Sequence, residues 1–420
     1  MPQPWPSLVF RLALLLRWVA RRSGRGGGGT LPGRVALALH PGALTTLTSQ
    51  REVALVCGTN GKSTTTALLA AALGWRGPVT TNADGANLPR GLVSTLLADR
   101  RRRTAAVLEV DELYLSVTMD QTRPRVVVLL NLSRDQLDRV EEVSSHVDRW
   151  AAALRRHPDT WVVANADDPL VVAAVRSGRE GDDRIRWVAA GAPWLGDVRL
   201  CPRCARHWAP EAQPWRCAAC GLARPDAAWT VDEDARLHAD DTSIVLQLRI
   251  PGRAGRANAV MAVAAADLLE VPVQEAADRL ATVTDVDGRY QDFALGDRHV
   301  RLLLGKNPAG WIEVLADLGR SDGQVLIGIN AQIADGIDPS WLWDVPFEEL
   351  AGRDVVAFGQ RGLDLSVRLR YAGVEHRLAD SLGQALDGLT SSACLAANYT
   401  AFTAARKELG ARARCFSPPS

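Results

Sequence analysis

A chain of 420 residues is too long for a single core, so two or three domains are expected. Its 49 Lys plus Arg against 48 Asp plus Glu exclude a global field that would gather nucleic acid. With 47% hydrophobic and 23% charged residues, the composition is that of an ordinary globular protein rather than a fibrous, disordered or membrane-embedded one.

The first predicted element is an apolar run from Leu8 to Ala20, interrupted by Arg11 and Arg17. It is shorter than the roughly 20 residues a spanning helix needs, and its charge pattern is wrong for a secretory signal. An amphipathic helix is expected that packs on the body or lies on a membrane face, with packing preferred. Gly24 to Gly29 then read as a flexible hinge closed by Pro32-Gly33. The basic run Arg100–Arg103 reads as a solvated loop.

From residue 51 to about 190, short apolar runs alternate with helical stretches. The predicted strands are Val53–Cys57, Ala105–Leu108, Val126–Leu130 and Trp161–Ala164. Helical periods follow in Thr64–Leu73, Ser145–Leu154 and Pro169–Val175. This is the βαβ grammar of a mostly parallel sheet covered on both faces, whose ligands sit at the carboxyl ends of strands. Gly58, Glu109, Asn131 and Asn165 all fall there. Residues 191–229 break the pattern and read as an insertion. Residues 230–250 alternate like strands, and Ala257–Leu269 is a helix rich in small residues. A second α/β unit begins near 291, with strands near Val300–Leu304, Val325–Ile329 and Val355–Phe358. The expected division is an N-terminal helix and hinge (1–50), a central domain (51–290) carrying the insertion, and a smaller C-terminal domain (291–420).

Between the first strand and its helix lies Gly58-Thr59-Asn60-Gly61-Lys62-Ser63-Thr64. Backbone N–H groups of a Gly-rich turn, backed by a helix N-terminus, bind anions. Lys62 adds a point charge for β- and γ-phosphates, and the Ser63 hydroxyl suits Mg²⁺. Val56 stands where a full phosphate-loop pattern has its first Gly, so the match is the shortened form G-x-x-G-K-S.

The insertion holds Cys201-x2-Cys204-x12-Cys217-x2-Cys220. Each C-x-x-C knuckle places two thiolates on one side of a tight turn, and two knuckles close a tetrahedral site. Four thiolates leave no open position for water, so a structural Zn²⁺ is expected. With no signal peptide, a disulfide framework is not expected and the protein reads as cytoplasmic.

"GTNGKSTTT" resembles the ATP loop of the Mur ligase family, which joins amino acids to peptidoglycan precursors through acyl phosphates. "LEVDE" (108–112) resembles the segment whose Glu, here Glu109, holds Mg²⁺. "NLSRDQLDR" (131–139) is similar to the N-x-x-x-D-H-L-D segment, with Gln136 in place of His. "NADDP" (165–169) matches another family segment. "GRAGRANAVMAVAAA" (252–266) resembles the G-x-x-N-x-x-N helix, with Asn258 at its second Asn and Gly255 at its first. "GRYQDF" (288–293) is similar to the G-R-x-E motif, with Arg289 retained and Gln291 for Glu. The resemblance implies ATP and Mg²⁺ as cofactors, with nucleotide held by Gly58–Thr64, Asn258 and Arg289. It also implies an α/β Mur ligase-like central ATPase domain with a zinc-ribbon insertion.

"LLLGKNPAGWIEVL" (302–315), "NAQIADGIDPSWLWDVPFEEL" (330–350), "GQRGLDLSVRLRYAGV" (359–374) and "NYTAFTAARKEL" (398–409) narrow the resemblance. They resemble the C-terminal domain of the MurT family, the synthetase-like subunits of lipid II isoglutaminyl synthases. That resemblance implies phosphorylation of the α-carboxylate of D-isoglutamate in the lipid II stem peptide and attack by ammonia to give D-isoglutamine. The ammonia comes from glutamine hydrolysed by a GatD-like partner. It further implies that an Asp of this chain completes the partner's Cys-His pair. Asp335, Asp338 and Asp344 are the candidates, with Asp338, extended before a proline, preferred and Asp344 next. Trp341 and Trp343 alternate along this stretch as interface anchors or core. Other readings stay open: an amino-acid ligase of the Mur or folylpolyglutamate type, a nucleotide-binding scaffold with degenerate catalysis, and a zinc-ribbon nucleic-acid binder.

Overall fold

The computed structural model describes residues 4–22, 30–82, 85–99, 105–134, 143–191, 198–208, 214–250, 252–283 and 290–416. Gly24–Gly29, Arg100–Arg103, Gln136 and Arg289 lie outside them. The chain forms two compact units, Met1–Leu132 with Glu142–Thr284, and Ser133–Glu141 with Asp285–Ser420.

The first unit opens with three helices, α1 (Pro4–Arg22), α2 (Leu31–Leu39) and α3 (Ala43–Thr48). Pro32-Gly33 follow the stretch that lies outside the described residues. They form the first turn of α2, where a proline loses no helix hydrogen bond. The alternation follows as β1 (Glu52–Cys57), α4 (Lys62–Leu73), β2 (Val79–Thr81), α5 (Pro89–Ala98), β3 (Ala105–Val110), α6 (Leu115–Thr122) and β4 (Val126–Leu129). Then come α7 (Val143–Arg156), β5 (Trp161–Asn165), α8 (Pro169–Gly178) and β6 (Ile185–Ala189). Three short strands, β7 (Trp229–Val231), β8 (Arg236–Ala239) and β9 (Thr242–Val245), precede α9 (Gly252–Leu268) and α10 (Val273–Leu280).

The nine strands form one sheet in the order β2-β3-β1-β4-β5-β6-β7-β8-β9. It is parallel from β2 to β7 and antiparallel at the β8 and β9 edge. The central strands are buried on both faces, which is why they read as unbroken apolar runs in sequence. One core packs α2, α5, α7 and α8 side chains against the sheet, and the other packs α4, α9 and α10. The chain builds outward from β1 on one side with β3 and β2, then crosses to β4 on the other. The loops after β1, β3 and β4 therefore meet at the switch in strand order, where α/β sheets place ligands.

The 165–169 segment is a structural clamp. Asn165 Nδ2 donates to the carbonyls of Leu130 (3.0 Å) and Gly191 (2.9 Å). Asp168 caps α8, accepting from the amides of Leu170 (2.9 Å) and Val171 (3.1 Å), and its other oxygen takes Leu132 N (3.0 Å). Burial pushes this carboxyl up to about 6. Asp167 accepts from Arg224 Nε (2.6 Å) and Gly191 N (2.6 Å) and so ties the insertion to the sheet.

The second unit has β10 (Tyr290–Leu295), β11 (Arg298–Leu304), α11 (Pro308–Gly319), β12 (Gln324–Gly328), β13 (Val355–Phe358), α12 (Gly362–Tyr371), β14 (His376–Leu378), α13 (Leu382–Asp387), β15 (Ala393–Ala397) and α14 (Tyr399–Phe416). Its sheet runs β10-β11-β15-β12-β13-β14, parallel except for the antiparallel edge strand β10.

Asp168→Ala should lower unfolding stability by about 2 kcal/mol or more, because three buried amides lose their acceptor. Urea unfolding of the full chain checks this, and an unchanged midpoint would refute the clamp.

Candidate functional site

The loop after β1 is held in a shape that few residues tolerate. Gly58 has φ +147° and Gly61 has φ +86°. A Cβ on Gly61 would lie 2.4 Å from Asn258 Oδ1, so α9 presses directly on the loop. Asn131 braces it from the β4 end. Its Oδ1 accepts from Asn60 N (2.8 Å), its Nδ2 donates to Asn60 O (3.0 Å), and its carbonyl accepts from Thr59 N (3.0 Å).

Lys62 opens α4 and is buried. Its Nζ donates to the carbonyls of Gly58 (2.5 Å) and Thr59 (3.1 Å) and pairs with Glu112 Oε2 at 3.2 Å. Glu112 is buried too, and its carbonyl accepts from Trp150 Nε1 at 3.2 Å. Ser63 Oγ donates to Glu109 Oε2 at 2.6 Å. Asn87 Nδ2 holds the other Glu109 oxygen at 3.1 Å, while Asn82 pairs with the Glu109 backbone in both directions, at 2.8 and 2.9 Å. A hydroxyl and a carboxylate in contact beside a phosphate loop are hard oxygen donors, the set that Mg²⁺ selects.

The structure thus brings together Gly58, Thr59, Asn60, Gly61, Lys62, Ser63, Glu109 and Asn258. Thr64 is buried in the first turn of α4. Sequence reasoning missed Glu112, Asn82 and Asn87. Glu112 lies in the quoted "LEVDE" stretch, and its signal was the Asp before it. Asp111 accepts from Leu113 N (3.1 Å) and starts a 3₁₀ turn over Glu112–Tyr114, which sets Glu112 against Lys62. Gly255 is explained by space, since a Cβ there would lie 2.6 Å from Ile250 O. Cys57 and Cys394 are buried within strands, and burial raises the Cys57 thiol well above its ordinary range. Neither is exposed, as a thiol that attacks glutamine has to be.

The four insertion cysteines converge, with every Sγ within 4.8 Å of the others. Cys201 and Cys220 Sγ are 3.6 Å apart, Cys204 and Cys217 Sγ 3.7 Å. Tetrahedral zinc with bonds near 2.3 Å sets its sulfurs about 3.8 Å apart, whereas a disulfide needs about 2.05 Å. The two knuckles are built alike. Cys201 N donates to Arg206 O and Ala205 N to Cys201 O, and the same pair recurs as Cys217 N to Leu222 O and Gly221 N to Cys217 O. Ala205 and Gly221 share positive φ at matching places. The cluster can bind a metal. Trp215, buried against Trp208, donates Nε1 to Asp167 O (3.1 Å) and seats the ribbon on the clamp.

In the second unit, the loops after β11, β12, β13 and β15 meet at the strand ends. Asn398 Nδ2 donates to Asn330 O (2.6 Å) and Asn330 Nδ2 to Thr400 Oγ1 (3.0 Å). Asp335 is buried here, accepting from Gln332 N (3.1 Å), Thr400 N (2.8 Å) and the Thr400 hydroxyl. It braces two loops and is not open to a partner. Asp338 is exposed and accepts from Ser340 N at 2.8 Å. Asp344 is exposed and pairs with Arg134 at 3.1 Å. Trp341 is 7% exposed and stacks on Trp311, so it is core, while Trp343 is 54% exposed and packs edge-on against Tyr371.

Comparison with known proteins places this geometry. The Mur ligase middle domain matches residues 56–182, and the MurT ligase C-terminal domain matches residues 304–402. A lipid II isoglutaminyl synthase (glutamine-hydrolyzing) subunit MurT of Streptococcus pneumoniae is 32% identical, covering 94% of this chain and 95% of its own. The chain belongs to the MurT family. A MurT subunit of Staphylococcus aureus is 28% identical over 87% of this chain and 88% of its own. Among solved structures, a MurF of Acinetobacter baumannii (TM-score 0.68, 16% identity, 90% of this chain and 80% of that one) shares the fold. So does a MurF ligase of Thermotoga maritima in complex with ADP (TM-score 0.64, 14% identity, 92% and 85%). The MurT-family chain therefore has a Mur ligase-like α/β fold, and its middle-domain family is ATP-dependent and Mg²⁺-requiring.

Lys62→Ala should reduce ATP turnover about 100-fold or more, as expected of a phosphate-loop lysine that offsets charge on a transferring phosphoryl group. Turnover within a fewfold of wild type would refute the loop assignment. Metal analysis of the purified chain should give one Zn²⁺ per chain, lost with lowered melting temperature in Cys201→Ser/Cys217→Ser. A metal-free wild type that melts alike would overturn the ribbon site.

Proposed function

We propose that this chain is the ATP-dependent subunit of a lipid II isoglutaminyl synthase, a glutamine-hydrolysing carbon–nitrogen ligase. The observation that carries the reading is a phosphate loop with a buried Lys62 and its Ser63–Glu109 pair, in a chain similar end to end to subunits of that name. The substrate is the α-carboxylate of D-isoglutamate in the lipid II stem peptide. A carboxylate is a poor acyl donor because oxide is a poor leaving group. One carboxylate oxygen attacks the γ-phosphorus of ATP, ADP leaves, and an acyl phosphate forms. The nitrogen of ammonia then attacks the carbonyl carbon, inorganic phosphate leaves, and nitrogen loses a proton to give D-isoglutamine.

Loop amides and Lys62 hold the β- and γ-phosphates and offset charge on the transferring group. Ser63 and Glu109 would hold Mg²⁺, which would neutralise phosphate charge. Asn258 sets the loop, and Arg289 contributes to nucleotide binding. The four cysteines of the ribbon would hold Zn²⁺ in a structural role, with no open position for water. Ammonia comes from a GatD-like glutaminase, in keeping with a chain similar to subunits of a glutamine-hydrolyzing synthase and with the burial of Cys57 and Cys394. Asp338 is our choice for the residue that orients the partner's His, with Asp344 next. Both are exposed, and Asp344 follows Trp343, which packs on Tyr371 of the exposed apolar row Leu363, Val367 and Tyr371. The reaction takes place in the cytoplasm at the inner face of the membrane.

Mass spectrometry of lipid II after incubation with the chain, its partner, ATP and Mg²⁺ tests this. One carboxylate should become an amide with glutamine or with ammonium. ATP consumed only when a free amino acid is added would favour the ligase reading instead. Asp338→Asn should abolish glutamine-dependent amidation and leave the ammonium-dependent rate within about twofold, as expected of a group that acts only through the partner's His. Loss of both would assign Asp338 to the synthetase or the fold, and retention of both would pass the role to Asp344.

A further inference from the structure

Helix α1 has two apolar sides, and the fold uses one of them. Val9 and Ala13 are buried in the first unit's core, with Phe10 and Leu14 packed beside them. The sequence expectation of packing is met on that face. On the other face, Leu8 is 57% exposed, Leu12 43%, Leu15 55% and Trp18 56%. Their spacing of i, i+4, i+7 and i+10 makes one continuous row along the helix. Isolated exposed leucines need no explanation, but three leucines and a tryptophan in register do.

The charge around the row is one-sided. The chain as a whole carries +1, yet its first 50 residues hold six arginines and neither Asp nor Glu. The first acidic residue is Glu52. Arg11 is exposed one residue before Leu12, and Arg22 lies with its guanidinium 5.0 Å from the centre of the Trp18 ring. A tryptophan at the end of an apolar row, flanked by arginines, is matched to the boundary between acyl chains and phosphate headgroups. Among the described residues no helix is long and apolar enough to cross a membrane, so this helix would lie on a surface rather than span it.

We propose that the outer face of α1 is a docking surface for an anionic lipid bilayer. Leu8, Leu12, Leu15 and Trp18 enter the interface, and Arg11 and Arg22 bind lipid phosphates. A protein partner or a second copy would cover the row equally well. The excess of arginine in this stretch, with Arg11 and Arg22 beside the row, favours a surface that is negative over a wide area. This inference stands on the helix alone. Failure of vesicle binding would leave the amidation reading in place, and failure of amidation would leave this surface in place.

The test is co-sedimentation of the full chain with vesicles of phosphatidylcholine containing phosphatidylglycerol, and with vesicles of phosphatidylcholine alone. Wild type should bind the anionic vesicles, and binding should weaken with salt. Leu12→Asp/Leu15→Asp should weaken it about tenfold or more while the melting temperature stays unchanged, since both side chains point away from the core. Arg11→Gln/Arg22→Gln should also weaken it. Three outcomes would overturn the proposal: no binding by wild type, equal binding by the Asp variant, or a wild-type dimer that the Asp variant dissolves.

Discussion

A buried ammonium group organises the first unit. Lys62 cannot leave water without oxygen partners, and the fold supplies them from the curve of its own loop and from Glu112. That requirement fixes the two positive-φ glycines, the turn after β3 that sets Glu112 against Lys62, and the brace from Asn131. The sheet order then becomes intelligible. Only where the chain leaves β1 on one side and returns on the other do the ends of β1, β3 and β4 lie together.

The pairing of Lys62 with Glu112 balances a buried charge. A lone cation in that position would be costly, and a carboxylate 3.2 Å away offsets much of the cost. Glu109 stands apart from this pair. Its oxygens are engaged by Ser63 and Asn87, so two carboxylates three residues apart serve different neighbours.

Much of this was legible in the sequence, for particular reasons. β1, β3, β4 and β5 announce themselves because both faces are buried and their centres are runs of Val, Leu and Ala. The ribbon is legible because ligand spacing is local. What could not be read depends on distant partners. Asn82 and Asn87 look like ordinary loop residues until β2 and α5 place them beside Glu109. β14 is three residues long and half exposed, and β15, with its run of small residues, gives a weak strand signal. Asp335, Asp338 and Asp344 are indistinguishable as letters. Burial separates the first from the other two, just as it separates Trp341 from Trp343.

The phosphate loop is compact in sequence, but its supports are not. Asn131 comes from the far side of the sheet, and Asn258 from a helix made long after the ribbon. A ribosome that has released "GTNGKS" has made a motif and not yet a rigid anion site. Rigidity arrives when β4 pairs with β1 and α9 closes over Gly61, the slow, non-local steps of assembly. Nucleotide affinity in this chain is therefore a property of the finished unit, and a bound nucleotide would stabilise completed molecules over partly folded ones.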